Sequence, residues 1–435
     1  MLGIGATSSL LALVMGGHVL SMLNIFLILA FCELLFSQGS AANRGFNIKS
    51  YHSRLFLTWM TLGMVSSIYG IFRFIEYDEF RAASVGSFFK IIIYILFLIF
   101  LGTNSNPSLR IRSLMGGIKF GIILNLIWCI ADAAMYYTTN VSLTNTVFQS
   151  YIQATDMRHG MASLTDGFMI RSVGLNNDPA TVGFFAIAAS AYSFLSKKYI
   201  VLILSILASF ACVSFTAIVG IVLVTLYYLF FNNSNLRNKI SLVLTVAIIS
   251  LFGFLYFTLS DSNIATGVRT ALEMRATAKV DGAQSSEIRE YYIKNFLSAL
   301  NETPEALVIG TGCSTASFPY FSLGLKKYEE FRPFDMENTY IATFFDIGLI
   351  GLLAFTYFYF RIFILTRNLP DNIKFGDLGK IINATSISAL ISFMFYHYTL
   401  YSVLMFISIA SLFIGPQKNM LKGKLLTQKK HFLKK

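Results

Sequence analysis

The sequence predicts an all-α polytopic membrane protein with about twelve membrane-crossing helices and two large loops on one side. Three observations carry this. Of the 435 residues 55% are hydrophobic and only 13% charged, against about 25% charged in a soluble globular protein. The charges are bunched, so that long apolar runs, such as Tyr199 to Val213 continuing into Ser214 to Phe231, alternate with short polar connections. Runs of roughly 20 residues are what a hydrocarbon core of about 30 Å asks of a helix. The strictly alternating segments of roughly 10 residues that build a spanning barrel do not occur.

In chain order the expected spans lie at roughly 3 to 16, 18 to 37, 55 to 72, 87 to 102, 115 to 137, 180 to 195, 199 to 213, 214 to 231, 239 to 260, 338 to 360, 381 to 397 and 399 to 414. The first residues lack a positively charged leader and a clear small-residue cleavage site, and a second apolar stretch follows at once, so they read as a retained helix and not as a secretory signal. The chain then divides into N-terminal membrane helices (1–137), a first large loop (138–179), central helices (180–260), a second large loop (261–337), C-terminal helices (338–414) and a basic tail (415–435).

The tail holds seven Lys and no Asp or Glu after Pro416, which the positive-inside rule assigns to the cytoplasm. Alternating sides backward from there puts inside the connections with Arg44, Lys49 and Arg54; Arg110 and Arg112; Lys197 and Lys198; Arg237 and Lys239; and Arg361, Arg367, Lys374 and Lys380. Their only acids are Asp371 and Asp377, while 17 of the 22 acidic residues fall on the outer side. Both termini are thereby expected inside and both large loops outside. The net charge of +12, which in a soluble protein would suggest nucleic acid, is here topological: 21 of the 34 Lys and Arg lie on or near the inner face, where they orient the chain and meet anionic lipid.

The first large loop ends in SVGLNNDPATVG, with Arg171 just before it. Asp178 followed by Pro179 is a helix start, with proline at the first helical position where its missing donor does no harm. Asp178 either caps that helix or brings a carboxylate to Arg171 at a helix N-terminus, whose partial positive charge favours anions. Arg158, His159 and Arg171 are basic groups on an acid-rich side. They are either a solvated surface or, for Arg171 above all, a contact to phosphate or glycan, because guanidinium presents a planar fork to phosphate oxygens.

In the second loop, SSEIREYYIKNFLSAL from Ser285 to Leu300 reads as an amphipathic helix with Ile288, Tyr292, Phe296 and Leu300 as its apolar stripe and Arg289 beside it. It either covers a small loop core or lies along the membrane surface, which would bring Arg289 to phosphate depth. VIGTGCSTASF follows; its Gly310 and Gly312 lack the third glycine of a dinucleotide fingerprint and read as a tight turn. The loop closes on Arg332, Asp335, Glu337, Asn338 and Tyr340, running into the tenth span. Asn338 or Asp335 can cap that helix. Glu337 can alternatively accept a proton from an incoming hydroxyl near phosphate-binding arginines.

Three acids fall within spans: Glu33, Asp132 and Asp346. Each costs roughly 2.5 to 3.5 kcal/mol at mid-helix on insertion scales. Asp346, two turns into its span, either lines a substrate cavity or makes an interhelix hydrogen bond. Cys32, Cys129 and Cys212 sit in or at the ends of spans and read as apolar packing. Cys313 alone is expected on the oxidising side, and one exported cysteine closes no intrachain disulfide. The five scattered histidines form no metal signature, no nucleophile elbow occurs, and no cofactor is expected.

A dozen spans, an Arg-containing outer loop ending in GLNNDPATVG, a larger outer loop with SSEIR and GTGC, and ENTYIATFFDIGLIG at the head of a span resemble the bacterial O-antigen polymerase (Wzy) and O-antigen ligase superfamily. The resemblance implies a lipid-carrier-dependent, GT-C-like glycosyltransferase of the bacterial inner membrane, joining repeat units carried on undecaprenyl pyrophosphate at the periplasmic face. It implies a lipid-linked oligosaccharide as donor and acceptor and a chain-length-determining membrane protein as partner; nucleic acid is not expected. The family's loop arginines carry over to Arg171 and Arg289, with Arg332 or Arg275 as helpers, and Glu337 or Asp178 as the base. Ligases typically have a histidine before the asparagine at the loop's end; Glu337 stands there, which favours polymerase. The family's Ser-Arg-Thr pattern reads Ser214, Phe215, Thr216 here and lacks its arginine. An O-antigen ligase remains the nearest alternative. A flippase is the rival from another class, against which stand the large outer segments and the lack of an inverted repeat.

Overall fold

A computed structural model of the chain describes residues 12–15, 18–21, 51–103, 107–148, 172–176, 179–212, 214–231, 266, 292–323, 338–367, 376–393 and 403–413. Among them, Tyr51–Arg73, Asp78–Ile99, Leu109–Thr139 and Thr339–Arg367 are helices long and apolar enough to cross a membrane. Shorter apolar helices lie at Ala180–Ser196, Tyr199–Ala211, Thr216–Phe230 and Val403–Phe413. The protein is thus a polytopic membrane protein. The ninth expected span, 239 to 260, lies outside the described residues.

The start of the chain departs from expectation. Within the first two expected helices, Ala12–Met15 (β1) and His18–Ser21 (β2) are antiparallel strands, with Met15 opposite His18 and Val14 opposite Val19. The sequence supplies a reason: Gly16 and Gly17 separate the strands, and a two-residue Gly-Gly link is a hairpin turn and a poor helix interior. A short apolar run fits either period, so length and hydropathy alone misread it.

The chain forms two compact units, Met1–Phe26 with Ile118–Ser286, and Leu27–Gly117 with Glu287–Lys435. We number the helices α1 (Tyr51–Arg73), α2 (Asp78–Thr103), α3 (Pro107–Thr139), α4 (Leu143–Val147), α5 (Pro179–Ser196), α6 (Tyr199–Ala211), α7 (Phe215–Phe231), α8 (Phe296–Glu302), α9 (Phe318–Ser322), α10 (Thr339–Arg367), α11 (Gly376–Ser392) and α12 (Val403–Phe413).

In the first unit α5 is the central helix, packed on α6 and α7. It begins at Pro179, as the Asp-Pro signal predicts. Residues 181–194 are buried on every face, the pattern of a helix enclosed by others. Its alanines and serines permit close approach, the usual means of packing helices within lipid. Ser190 and Ser193 return their hydroxyls to the helix's own carbonyls. α6 and α7 keep Ile200, Leu207, Val222 and Phe230 exposed, as a lipid-facing surface requires.

In the second unit, one face of α1 changes character along its length. Toward its start, His52 stacks on Phe358 of α10 with ring centroids 4.6 Å apart and meets Ser411 of α12 at 2.9 Å. Trp59 then packs edge-on against Phe355 at 5.1 Å. Toward its end the same face carries Gly63, Ser66, Ser67 and Gly70, all buried. Aromatic rings thus close one half of the α1–α10 contact, and small residues leave room in the other.

That room is filled by the turn 310–316. α10 is broken at Gly348, whose φ of 76° and ψ of 176° interrupt the helix. Gly310 opposite has φ 78°. A Cβ at Gly310 would overlap the Asp346 and Ile347 backbone, and one at Gly348 would overlap the Val308 carbonyl. Both positions require a left-handed conformation and lack space for a side chain. Gly348→Ala or Gly310→Ala is therefore expected to destabilise the folded protein by at least about 2 kcal/mol. Gly86→Ala and Gly116→Ala, where a Cβ meets nothing within 4 Å, should be neutral or stabilise by up to about 1 kcal/mol. Thermal unfolding in detergent, followed by size-exclusion chromatography, separates the two pairs.

Candidate active site

Two segments that the sequence assigns to outer loops descend into the membrane helices, each held by a buried carboxylate. The first is Ser172–Asn176. Asn125 and Asp132 stand seven residues apart on α3, which puts them on one face roughly 10 Å apart along the axis. Asp132 Oδ1 accepts the Ser142 hydroxyl at 2.9 Å and the Thr144 amide at 2.9 Å, and Oδ2 accepts the Ser172 hydroxyl at 2.8 Å. Ser142 in turn caps α4 by accepting the Asn145 amide at 3.2 Å. Asn125 Oδ1 accepts the Leu175 amide at 3.0 Å and the Asn176 side-chain amide at 2.5 Å. Ser172 also donates its backbone N–H to the Ala211 carbonyl at 3.2 Å. Gly174, at φ 62°, turns the chain where a Cβ would lie 3.1 Å from the Asn125 carbonyl oxygen.

The second is Thr311–Ala316. The break at Gly348 frees carbonyls that an intact helix would use. Phe345 O accepts the Thr311 amide at 2.6 Å and its hydroxyl at 3.1 Å, and Asp346 O accepts the Ser66 hydroxyl. The Asp346 carboxylate accepts the Thr315 amide at 3.0 Å and is also bonded by the amides of Ser314 and Ala316. Successive amides wrapped round an anion make a backbone nest, and the anion is the protein's own carboxylate. The interhelix hydrogen bond expected for Asp346 is thus a bond from helix to loop.

Depth along α1 can be read from the partners of this turn. Cys313 Sγ donates to the Gly63 carbonyl at 3.3 Å. Gly63 is ten residues before the α1 end at Arg73, roughly 15 Å along the axis. Cys313, expected on the outer side, is half-buried against α1. Nearer the end of α1, Arg73 pairs with Glu305 and lies over the Phe318 ring at 5.2 Å.

The predicted stripe Tyr292, Phe296 and Leu300 does face inward, packed with Ala299, Tyr320 and Phe345. Ile288 of that stripe lies outside the described residues. So do Arg158, His159, Arg171, Asp178, Arg275, Arg289, Arg332 and Glu337. Asn338 and Tyr340 are described. Asn338 caps α10, its Oδ1 accepting the Ile341 amide at 3.1 Å. Tyr340 donates its hydroxyl to the Leu390 carbonyl at 3.1 Å, and its ring meets Phe393 edge-on. The Thr339 amide reaches the Phe393 carbonyl at 2.9 Å. Residues 338–340, which follow Glu337, are therefore tied to α10 and its neighbour α11.

Sequence reasoning passed over Asn125, Ser172, Thr311 and Thr315, and weighed Asp132 only as a cost. The available signal was the pairing of two polar residues seven apart on a membrane helix. Among the described residues, no group of three His, Cys, Asp or Glu could hold a metal ion.

Residues 200–356 match the family model described as O-antigen ligase. No curated protein matches the chain. The family match runs from α6 through the second loop into α10 and includes Arg275, Arg289, Arg332, Glu337 and Asp346. It supports the O-antigen ligase and polymerase superfamily, and with it a membrane enzyme, without separating polymerase from ligase.

Removing the Asp346 carboxylate should release the turn. Cys313 is expected to react with a maleimide at least about tenfold faster in Asp346→Ala than in the wild type. Asp346→Asn, which keeps an oxygen acceptor, should stay near the wild type. Equal labelling of wild type and Asp346→Ala would contradict the docking of this segment.

Proposed function

We propose that the protein is an O-antigen polymerase: it joins oligosaccharide repeat units carried on undecaprenyl pyrophosphate, at the periplasmic face of the bacterial inner membrane, with both termini in the cytoplasm. The observation that carries this reading is the family match over 200–356, which spans the second large loop with Arg289 and Glu337. The polymerase reading within that superfamily rests on Glu337, which stands before Asn338 where ligases typically have histidine.

In the proposed reaction a hydroxyl at the non-reducing end of one lipid-linked unit attacks the anomeric carbon of a growing chain. Its proton passes to Glu337 or Asp178. The bond from the anomeric carbon to the pyrophosphate oxygen breaks, and undecaprenyl pyrophosphate departs. Arg171 and Arg289 bind that pyrophosphate, helped by Arg332 and Arg275, as charge develops on it in the transition state. Arg158, His159, Asn338 and Tyr340 complete the substrate-binding set. No cofactor is required, because the donor already carries an activated leaving group. A chain-length-determining membrane protein is the proposed partner.

One observation favours a second reading: the matched family model is described as a ligase, and transfer to a lipid A core uses the same donor and leaving group. The chain, reconstituted in liposomes with lipid-linked repeat units from the source organism, should lengthen glycans on the carrier. Arg289→Ala should lose at least about tenfold in undecaprenyl pyrophosphate affinity, about 1.4 kcal/mol, and Glu337→Gln should retain binding while losing chain growth. Glycan appearing only on an added lipid A core, with none lengthened on the carrier, would overturn the polymerase in favour of the ligase.

A further inference from the structure

We infer that His52 and Arg361 form a binding site for a phospholipid headgroup at the basic end of α1 and α10, the ligand being a phosphate diester that carries a hydrogen-bond donor beside its phosphate. The site is separate from the proposed glycosyl transfer and does not depend on it.

Two orphaned polar atoms meet here. His52 is 5% exposed, and among the described residues nothing hydrogen-bonds its Nδ1; the Nε of Arg361 is likewise buried and without a hydrogen-bond partner. Folded proteins satisfy nearly all such groups, so two at one place ask for a ligand. His52 stacks on Phe358, and Arg361 stands three residues further along α10, with its guanidinium 5.3 Å over the ring of Tyr51. The Arg361 charge is near enough to act on the His52 ring. Among the described residues no carboxylate pairs with Arg361.

The neighbouring hydrogen bonds decide what each atom needs. Ser411 Oγ donates its one proton to the Ser408 carbonyl at 2.6 Å, so in its 2.9 Å contact with His52 it is the imidazole Nε2–H that donates. Nδ1 of neutral His52 is then a bare acceptor, and Arg361 Nε–H is a donor without an acceptor. A phosphate answers Arg361, whose Nε–Nη edge suits two phosphate oxygens. It offers nothing to Nδ1, which takes an O–H or N–H from the same headgroup. A phosphoglycerol or phosphoethanolamine headgroup supplies both; phosphocholine has the phosphate without the donor.

Depth favours a lipid over a soluble ester. α10 has 29 residues, roughly 43 Å, and outruns a hydrocarbon core of about 30 Å, so at least one of its ends stands among headgroups. The tyrosines mark this one. Tyr51 and Tyr357 are 56% and 41% exposed, with their rings 6.3 Å apart, as tyrosines are placed at headgroup level. Arg54 and Arg367 are exposed at the same end. Arg361 is only half-buried, so a change of its rotamer, not an opening of the bundle, brings the headgroup to both nitrogens.

The full chain in detergent, titrated with phosphatidylglycerol, phosphatidylethanolamine and phosphatidylcholine of matched acyl chains and read by native mass spectrometry, tests this. One molecule of the glycerol or ethanolamine lipid is expected to bind at least about tenfold more tightly than the choline lipid. The ethanolamine and choline lipids carry the same net charge, so their difference reports the donor. Arg361→Ala, and Arg361→Lys, which keeps the charge without the fork, should each lose at least about tenfold in affinity for phosphatidylglycerol. His52→Phe, which keeps a stacked ring, should bring the ethanolamine lipid down to the choline lipid. Should His52→Phe not yield folded protein, the half-buried Arg361 variants and the comparison of lipids on the wild type carry the test. Arg54→Ala, at the same end but outside the site, should stay within about threefold of the wild type. Equal affinity for all three lipids, or a preference that survives Arg361→Ala, would overturn the site. So would phosphatidylglycerol alone being favoured, or a loss on Arg54→Ala equal to that on Arg361→Ala, since either would leave only a general attraction of anionic lipid. Full competition by free glycerol 3-phosphate at the lipid's own concentration would assign the site to a soluble phosphate ester and overturn the lipid reading.

Discussion

A carboxylate placed among apolar helices must find hydrogen-bond donors there, because neither water nor lipid supplies them. Asp132 and Asp346, buried to 1% and 3% exposure, meet that demand in the same way, each taking donors from a non-helical segment between helices. The demand is mutual. Irregular backbone is tolerated at membrane depth only where its amides and carbonyls are satisfied within the protein; the amides of Ser314, Thr315 and Ala316 find Asp346, and the first-turn amide of α4 at Thr144 finds Asp132. The surrounding sequence serves this exchange. Gly63, Ser66 and Gly70 make space on α1, Gly310 and Gly312 let the turn pass, and Gly348 breaks α10 so that its carbonyls can receive Thr311 and Ser66.

The arrangement has a consequence for chemistry on a membrane-anchored substrate. A pyrophosphate at the end of a long isoprenoid sits at the interface, so the groups that bind it must be fixed at that depth. Cations on a freely moving loop would lose much of their binding energy to ordering. Loop segments pinned into the bundle shift that cost to folding, which is how rigid support turns a charged residue into an effective one. Ser172–Asn176 and the capped start of α10 at Asn338 are the pinned segments that directly follow Arg171 and Glu337 in the sequence.

Much of the scaffold was legible in the sequence because it follows from local rules. Hydropathy places the described helices from Tyr51 onward, Asp178-Pro179 marks the start of α5, and helical spacing selects Tyr292, Phe296 and Leu300 as an inward stripe. The hairpin at β1 and β2 was not, since a short apolar run with a Gly-Gly link satisfies two periods and length favoured the wrong one. The anchoring contacts were invisible for another reason. Ser172 lies 40 residues from Asp132, and Thr315 lies 31 from Asp346, so no local pattern relates them. The contact of Cys313 with Gly63 was invisible for the same reason, since the two are 250 residues apart. Of the site residues, Asn338 and Tyr340 are described: Asn338 caps α10, and Tyr340 ties α10 to α11.

Ser172–Asn176 and Thr311–Ala316 are inserted among the membrane helices. Amide hydrogen exchange of the intact chain in nanodiscs, read by mass spectrometry over peptides covering both segments, tests this directly. Protection comparable to that of α1 and α5 is the result expected for backbone bonded inside the bundle. Exchange of either segment as fast as an unstructured peptide would contradict it.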